Sequence, residues 1–233
     1  EKKCSLVEAA GMGALYVLPF DATTADTEPE EFINQILRER CHAVAVIAGH
    51  DCRFGKGARG DIHLLREYGA RLGFEVEEVP ALIVESERIS STLVRERVLQ
   101  GDLAKVEKLL GRKYSITGTV VAGRAIGVTL GFPTANVKPN HSAIPAQGVY
   151  IAEVIVDGVR HPAAVNIGIA PTIRHEDLTV EAHLLDFNGE LVGREIEIVF
   201  HERIRPEKKF RNREELQDQI GRDVVSVRSY FGS

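Results

Sequence analysis

The pattern of apolar residues changes about halfway along this chain of 233 residues, and the change limits the folds open to it. In the first part, short aliphatic runs at 14–18, 43–48 and 74–79 alternate with amphipathic segments at 30–40 and 61–72. Alternation of this kind predicts strands and helices in an α/β layer with a parallel sheet. Two more helices follow, and the second of them, at 103–110, is predicted to end at Gly111. The first domain is therefore predicted to end there.

The rest of the chain is predicted to be mainly β-strand. Asp157-Gly158 and Asn188-Gly189 are typical of hairpin turns, and Asn212 with Glu215 can form a capping box for a helix over 213–230. Strands are predicted at 114–121, 148–156, 163–168, 178–187 and 195–200. These features predict a closed antiparallel barrel followed by a C-terminal helix.

The run from Gly131 to Asn136 combines a constrained turn with two oxygen-bearing side chains. Pro133 fixes its own backbone angle and keeps Phe132 out of a helical conformation. In an extended segment Thr134 and Asn136 project to the same side. A Thr hydroxyl and an Asn carbonyl are suitable Mg²⁺ ligands beside a nucleotide's phosphates. The alternative is an ordinary proline turn that enters a strand.

Just before this turn, an apolar strand ends in a segment with glycines at positions 123 and 127. Backbone amides could approach phosphate at Gly123 and Gly127, although no Walker loop is present. Together, the two glycines and the run Gly-Phe-Pro-Thr-Ala-Asn resemble the signature of the riboflavin kinase family. The resemblance implies that Gly123, Gly127, Thr134 and Asn136 bind ATP and its phosphates, with Mg²⁺ held by the last two.

The resemblance continues along the strand that contains Glu181. Alternation places Glu181 and His183 on the face opposite to Val180, Ala182 and Leu184. The family has its proposed catalytic base at the position of Glu181, so the resemblance implies that role here. The alternative from the residues alone is a glutamate on a solvated face. His183 could orient Glu181 or be a structural histidine.

The segment that leads into the last helix is similar to the family's flavin-contacting flap. By this resemblance Arg205 and Phe210 are candidate flavin contacts, whereas a solvated charge run with one anchoring aromatic is the alternative. The family commonly has Asp-Ser after the phenylalanine, but this chain has Arg211-Asn212. A flavin contact at position 211 is therefore not carried over.

In the first half, Ser90, Ser91 and Thr92 stand at a predicted helix start, with Arg95 one turn later. Free amides, the helix dipole and a guanidinium suit an anion there, and the alternative is an N-cap with a surface arginine. The stretch resembles the second nucleotidyltransferase motif of bacterial bifunctional FAD synthetases, which implies a residual nucleotide site. None of the eight histidines stands in that family's first motif, a His-x-Gly-His turn. We therefore expect FMN adenylylation to be lost in this chain, with the N-terminal part of the domain absent.

The fold that the resemblance implies is a partial Rossmann-like nucleotidyltransferase domain of the α/β class over 1–111. An antiparallel β-barrel riboflavin kinase domain with a C-terminal helix would follow over 112–233. The implied activity is Mg²⁺-dependent phosphorylation of riboflavin to FMN by ATP, within an enzyme that in intact form also makes FAD. Riboflavin, FMN and FAD are then substrates and products.

Composition is consistent with a soluble cytoplasmic enzyme. The net charge of −5 argues against nucleic acid as the main partner, and no apolar run is long enough to suggest a membrane partner. The chain has three cysteines, an odd number that does not suggest a set of disulfides, so reduced thiols are expected. Oligomeric state is left open. Two other functions also stay open, a non-catalytic flavin or nucleotide sensor and an interaction module.

Overall fold

The computed structural model describes residues 2–123, 126–140, 143–171 and 176–232. The chain divides into two compact units, Glu1–Arg88 and Ile89–Ser233. Residues 124 and 125, in the middle of the predicted glycine loop, lie outside the described residues.

The first unit contains a parallel pair of strands packed against helices, as the sequence predicts. Asp61 caps helix α4 by accepting hydrogen bonds from the amides of His63 and Leu64, both at 3.0 Å, and left-handed Gly73 ends the helix. The helices are α1 (Lys2–Ala9), α2 (Ala22–Ala25), α3 (Pro29–Phe32, continued as a π-helix over Ile33–Arg40) and α4 (Ile62–Leu72), with a 3₁₀ turn at Lys56–Ala58. The strands are β1 (Ala45–Gly49), β2 (Glu75–Val79), β3 (Ile83–Val84) and β4 (Glu87–Arg88); β1 and β2 are parallel, and β3 and β4 are antiparallel.

The predicted strand over 14–18 is wrong. No helix or strand forms there, and the side chains of Leu15, Tyr16 and Val17 are all exposed. A strand needs a neighbouring strand to accept and donate its backbone hydrogen bonds. In the described part of the chain β1 pairs with β2 alone, so the 14–18 segment stays outside the sheet.

The second unit is a closed six-stranded barrel with helices before and after it. Its strands follow the order β10-β5-β6-β9-β8-β7 around the barrel, and all six pairings are antiparallel. The strands are β5 (Ser115–Val121), β6 (Ala135–Pro139), β7 (Gly148–Val156), β8 (Val159–Pro171), β9 (Glu176–Leu184) and β10 (Glu195–Arg205). The helices are α5 (Ser91–Gln100), α6 (Leu103–Leu110), α7 (Ile126–Thr129) and α8 (Arg213–Phe231). The predicted barrel and C-terminal helix are confirmed.

Alternation along the strands fills the barrel interior with apolar side chains. On β9, Val180, Ala182 and Leu184 belong to the buried core with Tyr150 and Phe200 of neighbouring strands. The intervening Glu181 and His183 therefore lie on the outer face, as the alternation predicts.

One of the two predicted hairpin turns forms and the other does not. Asp157 and Gly158 have φ of 49° and 83° and connect β7 to β8. The Asn188-Gly189 prediction is wrong because β9 and β10 are not neighbours in the barrel. Both edges of β9 are already paired, with β6 and β8, so the chain after β9 must cross to another position.

Helices α5 and α6 pack in the same compact unit as the barrel. Leu103 of α6 belongs to the barrel's core cluster, and α6 ends at left-handed Gly111 as predicted. The motif at the start of α5 was predicted to belong to the first domain. The domain limits 1–111 and 112–233 stay a prediction.

Helix α8 covers part of the outer face of the barrel. Its Val227 is fully buried against Ile151 and Ala164. The predicted capping box is present, because the Asn212 side chain accepts a hydrogen bond from the Glu215 amide at 2.8 Å. The Glu215 carboxylate accepts one from the Arg211 amide at 3.0 Å. No helix within the described ranges is long and apolar enough to cross a membrane.

A partly buried histidine joins the far end of α8 to the barrel. His201 Nε2 donates to Glu153 Oε2 at 2.9 Å, and its Nδ1 lies 3.3 Å from the Tyr230 hydroxyl. The His201 ring also contacts the Phe231 ring edge to face, with the centroids 5.1 Å apart. Burial lowers the pKa of His201 below its ordinary value, although the Glu153 carboxylate opposes the shift.

We expect the free energy of unfolding to fall as pH is lowered from about 7.5 to about 5.5. The unfolded chain then takes up a proton at His201 that the folded chain resists, so the unfolded state is favoured. Urea unfolding followed by circular dichroism checks this. His201→Gln should have a shallower pH dependence than wild type. Equal slopes for wild type and His201→Gln would contradict the assignment.

Candidate active site

A cavity of about 320 Å³ lies on the outer face of the barrel, beside α8. It brings together six residues that the sequence singled out from separate segments: Gly127, Thr134, Asn136, Glu181, Arg205 and Phe210. His183 also borders it. The sequence reasoning missed four further polar residues in its wall: Asn166, Glu207, Lys208 and Asp223. The apolar part of the wall includes Phe132, Val149, Leu216 and Ile220.

Strand register arranges the polar wall of this cavity. Glu181 of β9 lies directly opposite Asn136 of β6 on one side and Asn166 of β8 on the other. Directly opposed residues in antiparallel strands have Cβ atoms about 4.5–5.5 Å apart. The Glu181 carboxylate is thus flanked by two carboxamides on adjacent strands. The same row continues from Asn166 to Val149 and then to Arg205.

The turn that precedes β6 is held on both sides. The Phe132 amide donates to the Gly127 carbonyl oxygen at 2.9 Å. The Pro133 carbonyl oxygen lies 2.8 Å from Nδ1 of His183, and Gly131 has φ of 83°, which favours glycine. The turn is thereby fixed immediately before Thr134.

Two glycines allow the close packing around Thr134 and Asn136. A Cβ atom at position 123 would overlap the Asn136 carboxamide. A Cβ at position 127 would overlap the Phe132 carbonyl oxygen and lie 3.2 Å from the Thr134 hydroxyl. Gly123 and Gly127 are therefore needed for space at these positions. Their predicted role as backbone contacts to phosphate stays a prediction.

The oxygen atoms in this cavity suit a metal ion that is also coordinated by the phosphates of the substrate. Within the described residues, no group of three or more His, Cys, Asp or Glu side chains could hold an ion. The Thr134 hydroxyl and the Asn136 carbonyl are neutral oxygen ligands, and the Glu181 carboxylate lies on the next strand. Mg²⁺ usually keeps waters and takes few protein ligands when nucleotide phosphates complete its shell. The residues present fit that form of binding.

Arg205 is anchored to α8 by a buried ion pair. Its Nε and Nη2 donate to the Asp223 carboxylate at 2.7–3.1 Å, and Gln219 adds a further hydrogen bond at 3.0 Å. Asp223 is only 3% exposed. The Phe210 ring lies 5.8 Å from the Arg205 guanidinium. The pair joins the end of β10 to the middle of α8 at the edge of the cavity.

The segment 206–210 brings a second carboxylate to the cavity. A Cβ at Gly168 would overlap the Glu207 carboxylate, so Glu207 reaches across to β8. Lys208 extends the other way and donates to Glu215 of α8 at 3.1 Å, with its Nζ 5.4 Å from the Phe210 ring centroid. These contacts connect the segment 206–210 with β8 on one side and α8 on the other.

The residues predicted for a second nucleotide site lie at the start of α5. Ser90 caps the helix by accepting from the Leu93 amide at 3.1 Å, so its hydroxyl has the N-cap role. Ser90, Ser91 and Arg95 border a separate cavity of about 500 Å³ together with Tyr114. Thr92 is exposed on the same turn.

Comparison with known proteins defines the class to which this fold and cavity belong. The riboflavin kinase family model matches residues 110–231, and the FAD synthetase model matches residues 1–93. The chain belongs to the family of bifunctional riboflavin kinase/FMN adenylyltransferases.

The enzyme of that name from Escherichia coli (strain K12) is 36% identical over 232 residues, covering 99% of this chain and 74% of the relative. The one from Bacillus subtilis (strain 168) is 35% identical over 238 residues, covering 100% of this chain and 74% of the relative. A crystal structure described as a macrolide-efflux protein from Streptococcus pneumoniae superposes with a TM-score of 0.86 at 30% identity. That match covers 97% of this chain and 73% of the other.

Proposed function

We propose that this chain transfers the γ-phosphoryl group of ATP to the 5′-hydroxyl of the ribityl chain of riboflavin, forming FMN and ADP. One observation carries the proposal. Thr134, Asn136 and Glu181 border a single cavity, and the last two are direct partners on adjacent strands. Membership of the family supports the same substrates.

Glu181 acts as the proton acceptor in this proposal. Its carboxylate takes the proton of the 5′-hydroxyl as that oxygen forms a bond to the γ-phosphorus. The bond from the γ-phosphorus to the bridging oxygen breaks, and ADP leaves with that oxygen. Phosphoryl transfer depends mainly on alignment and on stabilisation of phosphate charge. The fixed row Asn136–Glu181–Asn166 supplies alignment.

Thr134 and Asn136 hold the phosphates and Mg²⁺ in this proposal. The ion, when bound with ATP, neutralises charge on the phosphate oxygens. Gly123 and Gly127 allow the chain to pass close to both side chains. The backbone at these glycines then leaves space for the side chains of Thr134 and Asn136 to contact the nucleotide.

The apolar wall of the cavity is suited to a flavin ring system. Val149, Leu216 and Ile220 offer apolar contacts, and Phe210 offers an aromatic face. Arg205 borders the same region but directs most of its donors to Asp223. We propose flavin contact at Phe210, with Arg205 fixing the wall beside it.

Ser90, Ser91, Thr92 and Arg95 are proposed as part of an adenylyltransferase nucleotide site in a domain that spans 1–111. Their position at the start of α5, beside a cavity separate from the one that contains Glu181, supports a second nucleotide site, whereas the limit with the kinase domain at 112–233 is inferred from the sequence alone. The chain covers 74% of the length of the curated relatives. Because the chain matches only part of those relatives, adenylyl transfer needs a test separate from that of the kinase reaction.

The experiment is to incubate the chain with ATP, Mg²⁺ and either riboflavin or FMN, and to resolve the flavins by chromatography. We expect FMN from riboflavin. Because this sequence lacks the His-x-Gly-His turn, we expect no FAD from FMN. Riboflavin that binds but stays unmodified would overturn the kinase proposal and favour a flavin sensor. Formation of FAD would overturn the expectation about adenylylation alone.

A further inference from the structure

His183 stands two residues after Glu181 on β9, on the same outer face of the barrel. Its Nδ1 lies 2.8 Å from the carbonyl oxygen of Pro133. A carbonyl oxygen can only accept a hydrogen bond, so Nδ1 must carry the proton. The bond joins β9 to the turn that precedes β6.

The same ring makes a second contact with that turn. The His183 and Phe132 rings meet edge to face at 87°, with their centroids 5.5 Å apart. Phe132 and Pro133 are the two residues immediately before Thr134. Pairing of β6 with β9 begins only at Ala135, so Thr134 lies just outside the strand ladder. Its position therefore depends on how firmly the turn is held.

We propose that His183 is a positioning residue that holds the Phe132–Pro133 turn against β9, so that the Thr134 hydroxyl faces the nucleotide phosphates. This inference rests on the proposed function. It gives His183 a different role from one in which it orients Glu181. The Nδ1 proton is already donated to Pro133, and the backbone register of β9 with β6 and β8 sets the position of Glu181 along its strand.

The role requires a donor at Nδ1 and does not require proton transfer. Nδ1 donates in the imidazolium and also in the neutral tautomer that the Pro133 contact selects. An asparagine carboxamide nitrogen stands at the same number of bonds from Cβ as Nδ1 does. His183→Asn therefore keeps the donor and removes any acid or base, whereas His183→Leu removes both.

The test compares these two variants in the riboflavin kinase assay with the full chain. For His183→Leu we expect kcat/KM for MgATP to fall by about 10- to 100-fold, because a misplaced ligand weakens binding and alignment. The KM for MgATP should rise more than the KM for riboflavin. His183→Asn should recover most of the loss and keep the wild-type pH profile.

The control is His161→Leu, which removes another edge-to-face histidine contact, with Phe187, and lies outside the cavity. It should leave kcat/KM unchanged.

Thermal unfolding of each variant distinguishes positioning from general destabilisation. Equal loss of activity in His183→Asn and His183→Leu would overturn the proposal, as would wild-type kcat/KM in His183→Leu. An equal loss in His161→Leu would also overturn it, because the effect would then come from the barrel as a whole. Absence of FMN formation by the wild-type chain is a different result, since it contradicts the proposed function itself.

Discussion

Replacing Glu181 with glutamine is expected to lower kcat for FMN formation by about 10²- to 10⁴-fold. Glutamine keeps the size and shape of the side chain but cannot accept the proton of the attacking hydroxyl. Substrate binding should change less than kcat, because the lost interaction matters mainly as the hydroxyl oxygen attacks phosphorus. Steady-state rates with riboflavin and MgATP measure both parameters.

The control is Glu202→Gln, which changes an exposed strand glutamate that does not border the cavity. Its kcat should match that of wild type. Circular dichroism and thermal unfolding should show that both variants are folded. A folded Glu181→Gln protein with a wild-type rate would show that Glu181 is not the base.

Replacing Asp223 with alanine is expected to lower the free energy of unfolding by about 3–5 kcal/mol. The substitution leaves the Arg205 guanidinium with a largely buried charge, since the Arg205 side chain is 18% exposed. It also removes the acceptor for Gln219. Urea unfolding measures the change, and Asp218→Ala, on an exposed position of the same helix, should cost little.

The double variant Arg205→Met/Asp223→Leu tests whether the stability lost in Asp223→Ala comes from the unpaired, buried charge of Arg205. It removes both charges, so we expect it to regain much of the stability lost in Asp223→Ala. Its riboflavin KM should be higher than that of wild type, because the ion pair that fixes the wall beside Phe210 is gone. Equal instability of the single and double variants would contradict the ion-pair explanation.

Local patterns in the sequence predicted much of the barrel and of its cavity. Period-two alternation placed Glu181 opposite to Val180 and Ala182, and the capping residues placed the start of α8. The same reasoning failed at Asn188-Gly189, where a good turn sequence does not form a hairpin. Barrel closure decides that connection, because β6 and β8 occupy both edges of β9. Closure depends on contacts distant in sequence, which a local pattern does not contain.

The site residues that the sequence reasoning missed divide in the same way between long-range contacts and local patterns. Asn166 is opposite Glu181 only through the register of β8 with β9, and the sequence of either strand alone does not show it. Asp223 could have been found from the sequence. It shares a helical face with Ile220 and Val227, and a carboxylate on an apolar face needs a buried partner. Arg205 is that partner, but only the fold reveals the pairing.

The most direct test of the kinase assignment is a single-turnover reaction with ATP radiolabelled at its γ-phosphate and the chain in excess over riboflavin. We expect the label to appear in FMN at the rate of riboflavin loss, and the transfer to be slowed in Glu181→Gln. Label that stays in ATP or appears only as inorganic phosphate, while riboflavin is bound and unchanged, would contradict phosphoryl transfer at this cavity.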